Sequence, residues 1–531
     1  MTLTRNIKLN QSEDKLLSTL QFIANKYPVE SLSSSKTTVR CAGGWVRDKL
    51  LGLQSDDIDI VLNNCSGVDF ARRVHDHFSA NNGKRSEFCS SIGIIASNPS
   101  KGKHLQTATM RVMGYEVDFS HFRPPPGSTE DKMFGTPEED ALLRDFTINA
   151  LYYNVETGLV EDFTERGFHD LENKTIRTPL ESMKTLRDDP LRALRAVRFS
   201  VRFGFSLSGA ICAAASSTII KDLLQHQTSR GRFGSEIEGM LTGNSSSPKE
   251  AFDLIFELNL HDVVFELPRD DDDNSSTINK IAETSIQTRD NNNHEDGSDV
   301  LDSAISSGWL EAKDILRTLS AVIDAIDIDG NSMHSSHRRH LELAKTSIDN
   351  RLLYLTSFLH PFRLLNYTDA RGNIRPVIHF IIQESLRFKH KDFVNIWAII
   401  IEHEGQMRIL LQKEKSGTSC KLEIGQALHQ MKELWLTALV VATVMEAHEK
   451  PLEQREELIK TCISLYERTI NFGLDGCWLV TPHLSGKEIM HELGIVKGPM
   501  VGYYLSEQRK WQIMNPQGDK QACIDFLKEE A

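Results

Sequence analysis

No stretch of this 531-residue chain approaches the run of roughly 18 apolar residues that a membrane-crossing helix needs, which excludes a helical membrane protein. Cysteine is scarce. The eight thiols, at positions 41, 65, 89, 212, 420, 462, 477 and 523, include no Cys-x-x-Cys pair, which argues for reduced cysteines and against a zinc module. The first residues, Met1-Thr-Leu-Thr-Arg-Asn-Ile-Lys8, contain neither an apolar signal core nor an Arg-rich amphipathic presequence. A cytoplasmic or nuclear location is therefore expected, with a mitochondrial form arising from a longer alternative start. Positive charge is also in deficit: the formal net charge is −13. Much of the excess acid lies between Arg269 and Asp302, so an RNA partner stays open, because a local basic stripe suffices for one.

What is present is a chain too long for one core, of ordinary soluble composition, at 40% apolar and 25% charged. Residues up to about Asn154 mix helix and strand patterns. A helix is predicted over about Glu13–Lys26, and a β-hairpin over Thr107–Met113 and Glu116–Phe122, turning at Gly114. Arg123-Pro-Pro-Pro-Gly127 ends the second strand and starts a polar loop. From Asp189 the pattern is helical, with Pro190 in a first turn and Asp189 as its N-cap. Asp270–Asp273 and Asn291–Asn293 mark residues 266–303 as an acidic, low-complexity, disordered insertion. Helices are expected beyond it at Ile315–Ile326, Ile348–Phe358 and Leu434–Glu449.

The chemistry concentrates in three places. Gly43-Gly44-Trp-Val-Arg47-Asp48 reads as a strand end, a tight turn and a short helix, followed by a strand bearing Asp57 and Asp59. Side chains two apart on a strand share a face. Either feature alone is commonplace; with Arg47 and a third acid, Asp118, on the hairpin strand, they suit metal-assisted nucleotidyl transfer. Arg144-Asp145 follows: a buried pair joining two elements, or a donor and acceptor for a ribose hydroxyl. Third comes Asp188-Asp189-Pro-Leu-Arg192, continuing to Arg195, Arg198 and Arg202. Taken alone this is a solvated arginine face. Yet Asp189 and Arg192 lie three apart and can point the same way, offering one acceptor and one donor. That edge matches cytosine and adenine, and opposes uracil and guanine, with each good bidentate base contact worth about 1–3 kcal/mol of discrimination.

In this order the pieces resemble the class II CCA-adding tRNA nucleotidyltransferases of the eukaryotic type. The matching stretches are Gly43–Asp48 with Asp57-x-Asp59, Glu116–Phe119, Phe134–Ala141 leading into Arg144-Asp145, Val160–Gly167 to Asp170-Leu171, Asp188–Arg192, and Ser229–Glu236. Gly486–Met490 and Gly498-Pro499 add a weaker C-terminal likeness. The resemblance implies an α+β protein: a polymerase-β-like nucleotidyltransferase head (1–154) followed by all-helical parts. These are a nucleotide-templating neck (155–265), the acidic insertion (266–303), a helical body (304–480) and a tRNA-binding tail (481–531).

It further implies Mg²⁺ at Asp57 and Asp59, catalysis by these with Asp118, and nucleotide binding through Gly43, Gly44, Arg47, Arg144, Asp145, Asp189, Arg192, Arg195 and Arg198. Asp188, Arg232 and Glu236 are implied as supports, and tRNA, CTP and ATP as partners of a monomer. One departure stands out: the sugar-selecting stretch of the family often begins Arg-Arg-Asp, and here Leu143 takes the first place. The rival readings are a poly(A) polymerase or a partial CC- or A-adding enzyme, and, from another class, an inactive RNA-binding homologue.

Overall fold

The computed structural model describes residues 6–26, 36–82, 89–96, 105–128, 133–242, 247–268, 270–271, 274–275, 278–280, 297–332, 348–369 and 371–531. The chain divides into two compact units, Met1–Phe265 and Glu266–Ala531.

The first unit is built on a seven-stranded sheet of order β3-β4-β5-β2-β1-β6-β7. The strands are β1 (Val39–Ala42), β2 (Asp57–Leu62), β3 (Gly93–Ile95), β4 (Thr107–Val112), β5 (Tyr115–His121), β6 (Leu151–Asn154) and β7 (Leu159–Asp162). Only β2 and β5 run parallel; every other neighbouring pair is antiparallel. The expected hairpin is thus β4–β5, and the expected N-terminal helix is α1 (Gln11–Lys26). Leu16, Leu17, Leu20 and Ile23 recur at helical spacing and bury one stripe of α1 in a core shared with Ile58, Ile60, Val117 and Phe119 of the sheet. Between β1 and β2 lies α2 (Gly44–Leu50), and between β2 and β3 lies α3 (Gly67–Asn82). Gly67 lets α3 begin directly on β5: a Cβ there would lie 2.0 Å from the Phe119 carbonyl oxygen.

Helices α4 (Pro137–Leu142), α5 (Gly167–Glu172), α6 (Ser182–Asp188) and α7 (Arg192–Phe203) follow, then α8 (Gly209–Ala215), α9 (Thr218–Gln227) and α10 (Arg230–Thr242). A Thr136/Glu139 capping box starts α4. Helix α7 buries Leu194, Val197 and Val201, and stops at Gly204 in the left-handed conformation. Asp189 is not the N-cap of this helix. It closes α6 in extended conformation, Pro190 and Leu191 form a turn, and α7 begins at Arg192. The Asp189 carboxylate accepts from the Leu191 N–H through Oδ1 at 3.3 Å and from Arg232 Nη2 through Oδ2 at 2.7 Å, so it closes the Pro190–Leu191 turn ahead of α7 and ion-pairs at the same time.

The second unit is largely helical. Trp435–His448 is buried on nearly every side, as its uniformly apolar sequence demands, with Gly297–Ser332, Asn350–Leu359, Glu404–Lys415 and Leu452–Asn471 packed about it. Three later helices, Gly486–Leu493, Pro499–Met514 and Lys520–Glu529, close on a core of Leu484, Ile489, Tyr504, Cys523 and Leu527. The acidic insertion is not wholly without structure. Asp270–Asp271 pairs with Asn274–Ser275, Ile278–Lys280 adds a strand to Leu365–Thr368, and a helix begins at Gly297. Polar composition hid this, because the stabilising partner is main chain more than 80 positions away, at Leu365–Thr368. Residues 269, 272–273, 276–277 and 281–296 of the insertion lie outside the described residues.

Candidate active site

Gly43 ends β1 with φ 65°, a conformation that favours glycine. A Cβ there would lie 2.9 Å from Arg144 Nη1 and 3.5 Å from Asp59 Oδ2, so the missing side chain is what admits both groups to the turn. Gly44 opens α2 immediately afterwards. On β2, Asp57 and Asp59 share a face, and the parallel register sets them beside Glu116 and Asp118 of β5 respectively.

Negative charge is crowded along this row. Burial first, then Asp118 and Glu116, raises the Asp57 carboxyl above its ordinary range. Burial, opposed by Arg144 and reinforced by Asp57 and Asp118, pushes Asp59 up to about 6. A divalent cation relieves such crowding, and an all-oxygen set suits a hard one. Among the described residues no group of three or more His, Cys, Asp or Glu side chains gathers around a point, so the fit rests on the paired carboxylates and their repulsion.

Beside the row opens a cavity of about 350 Å³. Five arginines (123, 144, 192, 195 and 232) and four aspartates (59, 140, 145 and 189) line it, with Ser120 and His121. The balance favours an anionic ligand, and the acids hold the arginines in place. Arg144 donates to Asp140, to the Tyr152 hydroxyl and to the Asn149 carbonyl oxygen. Asp140 also accepts from Arg123 Nε at 2.6 Å and from Tyr152 at 2.6 Å. Burial alone would raise Asp140; Arg144, Arg123 and Tyr152 outweigh it and hold the carboxyl far below its usual range. Asp145 behaves alike: burial is overcome by Arg195, Asn149 and Arg192, and Arg195 Nη2 reaches it at 2.7 Å.

Arg192 is oriented by carbonyl oxygens rather than by an acid, its Nη2 donating to Leu143 at 2.9 Å and its Nη1 to Thr185 at 3.4 Å. Asp188 is exposed, and bears on Arg192 only through its charge. Arg232 fixes Asp189, while Glu236 accepts from Arg198 at 2.6 Å and stands 3.9 Å from Arg195.

Of the nine expected nucleotide ligands, Gly43, Gly44, Arg47 and Arg198 do not line the cavity; the two glycines form the turn beside Asp59 and Arg144, and the two arginines are turned inward. Arg47 is 3% exposed, paired with Asp48, bonded to Asn149 and set over the rings of Phe199 and Phe203. Arg198 bonds Glu236 and lies over Phe199. Both brace α7 against its neighbours. Conversely, Arg123, His121, Asp140, Asn149 and Tyr152 were not singled out from the sequence. Asp140 lies inside the matched Phe134–Ala141 stretch, one residue past its capping box; Tyr152 carries no signal beyond strand propensity.

A family model described as the poly A polymerase head domain matches residues 39–177. Across 92% of this chain and 88% of the relative, identity is 32% to "CCA tRNA nucleotidyltransferase, mitochondrial" of Saccharomyces cerevisiae. The protein of the same name from Candida glabrata is 30% identical over 99% of this chain and 97% of its own. The chain belongs to the CCA tRNA nucleotidyltransferases. The Thermotoga maritima CCA-adding enzyme complexed with tRNA_CCA has the same fold, with a TM-score of 0.56 at 17% identity over the whole of both chains. Membership of the CCA tRNA nucleotidyltransferases extends through both units, whereas the head-domain match stops within the first.

Proposed function

We propose that this protein adds C, C and A to the 3′ end of tRNA from CTP and ATP, acting as a monomer. The terminal ribose oxygen bonds to the α-phosphorus of the incoming nucleotide, the bond to the bridging oxygen breaks, and pyrophosphate leaves. The observation that carries the reading is a single cavity that Asp59 of the carboxylate row lines together with Asp189 and Arg192. Chemistry and base choice thus meet in one space.

Asp57 and Asp59 would hold Mg²⁺, with Asp118 beside them; the ion supplies charge neutralisation at the triphosphate and acidifies the attacking hydroxyl. Arg144 and Asp145 border the ribose, and Asp189 with Arg192 presents the acceptor–donor edge that suits cytosine and adenine. Arg195 acts by holding Asp145, Arg232 by holding Asp189, and Glu236 by holding Arg195 and Arg198. Residues 304–480 form the body and 481–531 the tail, which carries the rest of the tRNA contact. The names of the two yeast relatives support a mitochondrial pool beside a cytoplasmic or nuclear one, which cell fractionation would check.

Incubating the full chain with tRNA lacking CCA tests the function. Both nucleotides together should give CCA, CTP alone should give CC, and ATP should extend only tRNA that ends in CC. Long A tails, or arrest after CC with both nucleotides present, would overturn it, and absence of pyrophosphate release would leave an RNA-binding protein.

A further inference from the structure

A carboxylate offers about four lone-pair positions to hydrogen-bond donors. Asp145 has all of its own occupied: Oδ1 accepts from the Phe146 N–H at 2.8 Å and from Asn149 at 3.0 Å, and Oδ2 from two nitrogens of Arg195 at 3.0 and 2.7 Å. Asp140 is occupied in the same way by the backbone N–H and Nε of Arg123, by Arg144 and by Tyr152. Neither acid beside Arg144 has an acceptor site to spare. Arg144 itself spends Nε and Nη1 on protein partners and keeps Nη2 free of hydrogen bonds among the described residues.

His121 is the opposite case. It ends β5 and lines the same cavity. Apart from Asp59, which the transferase reading gives to Mg²⁺, it is the one polar side chain of that wall with no hydrogen bond among the described residues. Its Nδ1 is shut away from solvent, so Nε2 is the nitrogen that a ligand reaches. The Phe134 ring meets the imidazole edge to face, with 5.1 Å between centroids, and fixes its plane. Burial lowers the imidazole below its ordinary range, with Asp140 opposing, which keeps the ring neutral at pH 7. At Nε2 a neutral ring offers an acceptor in one tautomer and a donor in the other.

We propose that His121 contacts the 2′-hydroxyl of the incoming nucleotide and is a specificity-determining residue for ribose over deoxyribose. The inference rests on the transferase reading above and deepens it. A 2′-hydroxyl both donates and accepts, and it is the group by which a protein tells RNA from DNA. Arg144 Nη2 supplies one partner for it, and His121 Nε2 supplies the second, which Asp145 is no longer free to be. Asp145 then acts through Arg195, which it holds at the cavity wall.

The test is a cycle of two changes, one in the protein and one in the nucleotide. Incorporation of CTP and dCTP into tRNA lacking CCA, and of ATP and dATP into tRNA ending in CC, is compared for the unmodified protein, His121→Phe and His121→Gln. His121→Phe keeps a ring against Phe134 and removes both nitrogens; His121→Gln keeps an amide of similar reach. For His121→Phe, kcat/KM with CTP should fall about tenfold, the scale of one hydrogen bond. With dCTP, which lacks the hydroxyl, kcat/KM should stay unchanged. The preference for ATP over dATP should shrink by the same factor, because the ribose is common to both, and the KM for RNA should not move. His121→Gln should keep most of the preference.

Equal losses with CTP and dCTP would reduce His121 to packing and overturn the proposal. A rise in the KM for RNA at an unchanged ribose preference would overturn it as well, as would an unmodified protein that uses dCTP as readily as CTP. If the unmodified protein incorporates neither C nor A, the transferase reading itself fails, which is a separate outcome. Near-identical thermal unfolding of the three proteins identifies the change in preference as local.

Discussion

Asp140 shows how one buried carboxylate serves several cations at once. It takes Arg123, Arg144 and the Tyr152 hydroxyl, and it is 2% exposed. Replacing it by asparagine keeps the shape and leaves two guanidiniums without their counter-charge. Asp140→Asn should lower stability by about 3–5 kcal/mol, read as a drop in the denaturation midpoint at unchanged slope. Asp57 stands at the other extreme: it opens its strand with its surface largely exposed, and partial desolvation of the carboxyl, then Asp118 and Glu116, raise it. Asp57→Ala should abolish nucleotide incorporation while leaving tRNA affinity and thermal stability near those of the unmodified chain. Retained turnover in a single-turnover assay would remove Asp57 from the chemistry.

Helix α7 is the element that converts a row of arginines into architecture. Arg195 turns to Asp145, Arg198 to Glu236 on α10, and Arg202 to Asp48 on α2, the last at 3.2 Å. Three-residue spacing spreads these side chains around the helix toward three different partners, which sequence periodicity alone leaves undecided between internal ion pairs and phosphate contacts. Because the guanidiniums are committed internally, Arg198→Ala should leave the salt dependence of tRNA affinity unchanged while it destabilises the first unit. Losing a phosphate contact would instead reduce the slope of log affinity against log salt by nearly one. A filter-binding titration over several salt concentrations separates the two.

At the scale of the whole chain, the two units carry different acid sensitivities. In the first, Asp140 and Asp145 are held below their ordinary range, despite burial, by the arginines around them. Carboxyls depressed in the folded state contribute stability that is complete above the unfolded value of about 3.9 and fades as pH falls below it. In the second, burial lowers His403, and burial with Arg375 and His390 lowers His379. Histidines depressed in this way stabilise the fold above about pH 6.5 and lose that contribution as they bind protons on acidification. Burial lowers His121 of the first unit too, with Asp140 opposing it. Between pH 7 and 5 the second unit should therefore lose more protection than the first, and below about pH 4 the first should follow. Hydrogen exchange resolved by peptide checks the order; the reverse order would show that these groups do not set it.

The residue types and their spacing were enough to define the reaction. Gly43 before Asp57-x-Asp59, Arg144-Asp145 and Asp189 with Arg192 each announce a local need: a backbone free of a side chain, a shared strand face, a donor beside an acceptor. Such needs are met within a few positions of chain, so they are legible in order along it. Which arginines face the ligand is another matter. Arg47 and Arg198 read like Arg192 in sequence, yet two of the three are internal braces, because Asn149 and Glu236 reach them from distant parts of the chain. Asp140 and Tyr152 join the site for the same reason. Long-range ion pairing depends on which elements the core draws together, and only the folded sheet and helices decide that.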